Sequence, residues 1–106
     1  MTLQILYGRG TAQPTAFCDY CQKPIEDAGL ALYLWAPPVA GLSDAEQPAQ
    51  PIYLLHKVCH RALAADRFGD QLVQTMELSY LPIYLMSTLG IDPEKARAGA
   101  RSMASL

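Results

Sequence analysis

Four residues of this 106-residue chain have the types and spacing to hold one metal ion: Cys18, Cys21, His56 and Cys59. Two thiols two residues apart reach a single metal when the backbone turns tightly after the first. The same turn frees amide N–H groups to bond the sulfurs, which lowers the cost of their negative charge. His56 and Cys59 lie three apart, on one face of a first helical turn. Three thiolates and an imidazole fill a tetrahedral, closed site for one structural Zn²⁺. His60 is the rival ligand to His56, although beside Cys59 on a helix it points about 100° away. A dithiol switch at Cys18 and Cys21 is the other reading of the first pair, but no thioredoxin-like βαβ pattern surrounds it. Haem attachment would need a histidine directly after Cys21, where Gln22 stands.

The flanking segments must bring the two half-sites together. Residues 2–7 alternate weakly, with Leu3, Ile5 and Tyr7 on one side, and Gly8-Arg9-Gly10 ends them as a turn. A polar connector containing Pro14 then leads to Phe17 and the first cysteine pair. The run Leu30-Ala31-Leu32-Tyr33-Leu34-Trp35 favours a strand, and Ile52-Tyr53-Leu54-Leu55 reads as its return, delivering His56. Between them, residues 36–51 hold four prolines and no sustained period, as a mobile insertion at a hairpin tip would.

From Lys57 the pattern turns helical, with Val58, Ala62 and Ala65 on one face and Cys59 and Leu63 beside them. Gly69 ends this helix, and Asp70 caps a second with Leu72, Val73 and Met76 as its stripe. Pro82 fits the first turn of a further helix capped by Ser79, or else kinks one continuous helix. Asp92-Pro93-Glu94 starts a last helix, which runs into an alanine- and serine-rich tail.

The order Cys18-x2-Cys21, two strand-like runs, then His56-x2-Cys59 opening a helix resembles a treble-clef zinc finger. Its ligand types and order are similar to those of the first zinc site of LIM domains. The resemblance covers residues 17–67 and implies an α+β fold of knuckle, β-hairpin and α-helix, followed by a C-terminal helical extension over 68–106. The 34 residues between the ligand pairs exceed the LIM spacing, and no second zinc site follows. LIM-type partner recognition therefore does not carry over.

One domain is expected at this length. Charged residues make up 17%, the net charge is −2 and the pI is near 5.5, which weighs against binding nucleic acid through bulk positive charge. Ionising three thiols and adding Zn²⁺ takes the formal charge from −2 to −3. Three cysteines cannot all pair within the chain, and no secretory pattern opens it, so a reducing, cytoplasmic setting is expected. Residues 72–91 are apolar but carry Gln74, Glu77 and Pro82, so no membrane span is expected.

A closed Cys3His site leaves no position for a catalytic water, and no acid–base pair accompanies it, so an enzyme is not the expectation. The favoured reading is a zinc-stabilised domain that binds a protein partner or forms a homodimer. Tyr80, Ile83, Tyr84 and Met86 would supply the surface, because a short helix apolar on several sides needs covering. Those helices wrapping the finger within one monomer is the competing reading. Nucleic-acid binding through Lys23, Lys57, Arg61 and Arg67 is the alternative function. Charge balance around a −1 zinc centre also accounts for these four cations.

Overall fold

The computed structural model describes residues 3–8 and 10–104; Thr2, Arg9, Ser105 and Leu106, which figured in the expected first strand, turn and tail, lie outside the described residues. The described residues form a mixed α+β structure of two small sheets and three α-helices. Strands β1 (Leu3–Gly8) and β2 (Thr11–Ala16) make an antiparallel hairpin. Strands β3 (Ala31–Trp35), β4 (Tyr53–His56) and β5 (Gln74–Glu77) form the central sheet in the order β4-β3-β5, all antiparallel. The helices are α1 (His60–Phe68), α2 (Leu81–Thr88) and α3 (Pro93–Ala104).

Strand β3 is the centre of the molecule, and its nearly uninterrupted apolar sequence follows from that place. A strand covered on both faces cannot alternate apolar with polar residues. On one face Leu32 and Leu34 join Leu55, Leu63 and Cys18 in a buried cluster, flanked by Cys21, Cys59 and Phe68. On the other, Ala31 and Tyr33 join Leu54 and Leu78, flanked by Trp35, Met76 and Leu81. Tyr33 stacks on Trp35 with ring centroids 5.2 Å apart, and its hydroxyl meets Met76 Sδ at 3.2 Å. Burial of a leucine such as Leu34 or Leu55, both fully enclosed, contributes about 1.5–3 kcal/mol.

Several elements differ from the sequence expectation. The connector with Pro14 is a strand, with Pro14 opposite Ile5. Residues 74–77 are strand rather than helix, and Leu72, assigned to a helical stripe, is 84% exposed. Val73 and Met76 match a helical spacing, but the open edge of β3 takes this segment, pairing Tyr33 with Met76 and Leu34 with Thr75. Tertiary pairing overrides a pattern only four residues long.

The helical face after His56 also differs. Val58 is 92% exposed, and Leu63 is the buried residue of α1. The first turn, Lys57–Cys59, is 3₁₀, which changes the angular count. Cys59 points toward the sheet and carries Leu63, one turn later, with it.

Helix α2 has Pro82 in its first turn as expected, with Tyr80 rather than Ser79 at the N-cap; the Ser79 hydroxyl bonds Glu77 instead. The helix ends with Ile91 N–H donating to Met86 O and Gly90 N–H to Ser87 O, with Gly90 at φ +64°. This is a Schellman end, which needs a left-handed residue. Asp92 caps α3, its Oδ1 accepting from the Glu94 and Lys95 amides. The loop between β3 and β4 contains a 3₁₀ turn, Asp44–Glu46, whose Glu46 carboxylate accepts from Ser43. Gln47 ties it back through bonds with Val39 and Leu42. No helix among the described residues is long and apolar enough to cross a membrane.

Candidate metal centre

The segment Phe17 to Pro24 folds into a tight double-backed turn. Phe17 bridges Pro24, Cys18 N–H donates to Lys23 O at 2.9 Å, and Gln22 N–H donates to Cys18 O at 2.9 Å. Closing the turn puts Gln22 at φ +62°, the one left-handed residue other than glycine among those described. Such a conformation costs about 1–2 kcal/mol outside glycine.

The second half-site arrives on β4 and the turn after it. The backbone of β4 is held to the knuckle by Asp19, the residue after the first cysteine. Asp19 N–H donates to Leu54 O at 2.8 Å, and Leu54 N–H donates to Asp19 Oδ2 at 2.8 Å. Asp19 thus occupies the outer edge of β4 as a strand residue would, and it fixes where His56 emerges two residues on.

One ligand atom from each of Cys18, Cys21, His56 and Cys59 lies within 4.8 Å of every other. Zn–S bonds of about 2.3 Å define a tetrahedron with edges of roughly 3.8 Å. The four groups can therefore close on one ion with shifts of the side chains alone. Cys18 is buried, and the other three are half-buried. Among the described residues these four are the one grouping of its kind.

The imidazole of His56 is oriented from both sides. Its Nδ1 lies 3.3 Å from Cys21 Sγ, and its Nε2–H donates to Pro24 O, 3.2 Å away. A carbonyl accepts only, so the proton sits on Nε2 and the lone pair on Nδ1 faces the sulfurs. This is the arrangement by which an outer hydrogen bond sets the tautomer of a metal-binding histidine. His60 is turned elsewhere, its Nδ1–H donating to Lys57 O at 3.1 Å.

Burial raises the Cys18 thiol pKa, but hydrogen bonds outweigh it. The backbone amides of Cys21, His56 and Tyr20, with the Cys21 side chain, bring it from 9.0 down to about 6. The Tyr20 amide lies 3.4 Å from Cys18 Sγ. Cys59 moves the other way, up to about 12, through burial and through the neighbouring Cys18 and Cys21. One thiolate stands ready in the cluster, and ionising Cys59 beside it is disfavoured. A divalent cation removes that conflict.

Two of the four cations proposed for nucleic acid, Lys57 and Arg67, have partners within the chain. Lys57 pairs with Glu77 at 3.6 Å, and the Arg67 guanidinium lies over the Tyr53 ring, 5.9 Å from its centroid. Tyr80, Ile83 and Tyr84 are exposed and Met86 is half-buried. Sequence reasoning missed Asp19 and Pro24. An acid between two ligand cysteines and a proline shortly after them are the signals that could have found them.

Comparison with protein-family models, curated proteins and solved structures finds no match to this chain.

Proposed function

We propose that Cys18, Cys21, His56 and Cys59 hold one structural Zn²⁺ and that the chain works as a zinc-stabilised protein-interaction or self-association module. The observation that carries the metal assignment is the pre-set imidazole, with Nδ1 at the sulfurs and Nε2 anchored on Pro24. Three thiolates and one imidazole suit zinc, and four protein ligands close the shell, as in sites that support folding rather than chemistry. The order of knuckle, hairpin and helix supports a treble-clef arrangement with LIM-like ligand order. In this reading zinc joins two segments that are 34 residues apart in sequence. It turns the central sheet and α1 into one folding unit, which a core of this size needs.

The interaction role rests on surface left over from the core. Tyr80, Ile83 and Tyr84 are each more than half exposed on or beside α2, with Met86 next to them. Exposed aromatic and branched side chains grouped on one short helix are the composition of an interface. Metal analysis and a light-scattering concentration series on the same sample test both halves. One zinc per chain with concentration-dependent mass, or capture of a defined partner lost in Tyr84→Glu, is expected. A zinc-free protein contradicts the first half, and a strict monomer with no partner contradicts the second.

A further inference from the structure

Nothing in the metal centre accounts for the β1–β2 hairpin. Every residue of β1 is exposed, and Leu3, Ile5, Leu6 and Tyr7 stand at 61, 49, 44 and 83% exposure. A two-stranded hairpin is marginal in water by itself. Apolar surface concentrated on one strand marks an interaction site.

The two edges of this hairpin are unequal. Strand β2 carries Pro14 at its middle, opposite Ile5. Strands accommodate proline where its nitrogen faces the outer edge, and that edge then lacks a donor. Strand β1 has no such guard. Its sequence Leu-Gln-Ile-Leu-Tyr-Gly has no charge and no proline, and among the described residues β2 is its one strand neighbour. An uncharged edge of this kind is a template for another strand.

The apolar face does not stop at the hairpin. Leu3 lines a groove of about 550 Å³ together with Ile25, Ile52, Leu81 and Leu85. Leu3, Ile5 and Tyr7 alternate onto one face of the strand, so that face runs into the groove beside α2.

We propose that β1 pairs antiparallel with β1 of a second copy of this chain, forming a four-stranded sheet in the order β2-β1-β1-β2. The proposal rests on the self-association reading above and places its centre on β1. Identical strands paired antiparallel obey a two-fold axis, and no like charges face each other across it. Pairing sets Leu3, Ile5 and Tyr7, at 61, 49 and 83% exposure, beside their counterparts on one face of the joined sheet. They offer roughly 400 Å² of side chain per copy, which places the contact among the small, transient interfaces.

Sedimentation velocity on the zinc-loaded full chain, with amide exchange of residues 3–8 at low and high concentration, tests the pairing. A dimer is expected by roughly 500 µM, where a small, transient interface is populated. Exchange of β1 amides should slow at least ~10-fold on dimerisation. Ile5→Lys should give a monomer with unchanged zinc content; should that variant fail to fold, the wild-type exchange data decide alone. A wild-type chain that stays monomeric overturns the pairing and the self-association reading together. A dimer whose β1 amides exchange at unchanged rates, and which is lost in Tyr84→Glu, overturns the pairing and leaves that reading standing.

Discussion

Asp19 and Leu54 are joined twice, backbone N–H to carbonyl in one direction and backbone N–H to carboxylate in the other, each at 2.8 Å. These two bonds couple the cysteine turn to the strand that ends at His56. Asp19→Ala removes the acceptor for a half-buried amide, and such losses cost about 1–3 kcal/mol. Metal affinity should fall roughly 10–100-fold, the usual effect of removing an outer-shell support. Asp19→Asn keeps an acceptor oxygen and should be milder. Thermal melts and competition with a chromophoric chelator read both quantities.

Gln22 sits at φ +62° in the same turn. Gln22→Gly relieves the steric cost but adds unfolded-state entropy, so its net effect should lie within about 1 kcal/mol of zero or be stabilising. Gln22→Val, with a branched Cβ, should cost more than about 1 kcal/mol. Denaturant unfolding of the two zinc-loaded variants gives the comparison.

The close grouping of Cys18, Cys21, His56 and Cys59 and the hairpin of β3 and β4 were legible because thiol spacing and apolar runs are local signals. Tetrahedral chemistry constrains Cys18, Cys21, His56 and Cys59 strongly enough that residue types alone nominate them. Strand β5 was not legible. Val73 and Met76 mimic a helical stripe, and only the unpaired edge of β3 assigns Gln74–Glu77 to a strand. Strand β2 hid for a related reason, since Pro14 argues against a strand unless the partner strand is known to lie on its other side. The exposure of Val58 was missed because the 3₁₀ turn before α1 shifts the phase of the helix.

His56 and His60 should separate cleanly. His56→Ala removes the ligand whose Nδ1 faces Cys21, and metal affinity should drop by orders of magnitude. His60→Ala removes a ring bonded to Lys57 O and should leave affinity within about 2-fold. Nitrogen-detected NMR of the zinc-loaded chain should show His56 metallated at Nδ1 and protonated at Nε2.

Acid should release the metal. In the folded arrangement before metal binds, Cys18 lies at about 6, below its ordinary 9.0, so its ionised form favours folding above pH 9 and loses that contribution as pH falls through 6. Cys59, pushed up to about 12, stays protonated throughout that range and must release its proton to solvent when the metal binds. Zinc affinity should therefore rise with pH between 5 and 8. Titration calorimetry in buffers of different ionisation enthalpy should detect about one or more protons released per zinc bound at pH 7.

If one zinc ion makes the two half-sites a single unit, native mass spectrometry paired with circular dichroism will show it. Protein purified under reducing conditions should carry one zinc per chain. Stripping it with a chelator, or replacing Cys59 by Ser, should unfold at least residues 17–67. A chain that carries no metal, or whose circular dichroism is unchanged after zinc removal, holds its two half-sites together without zinc.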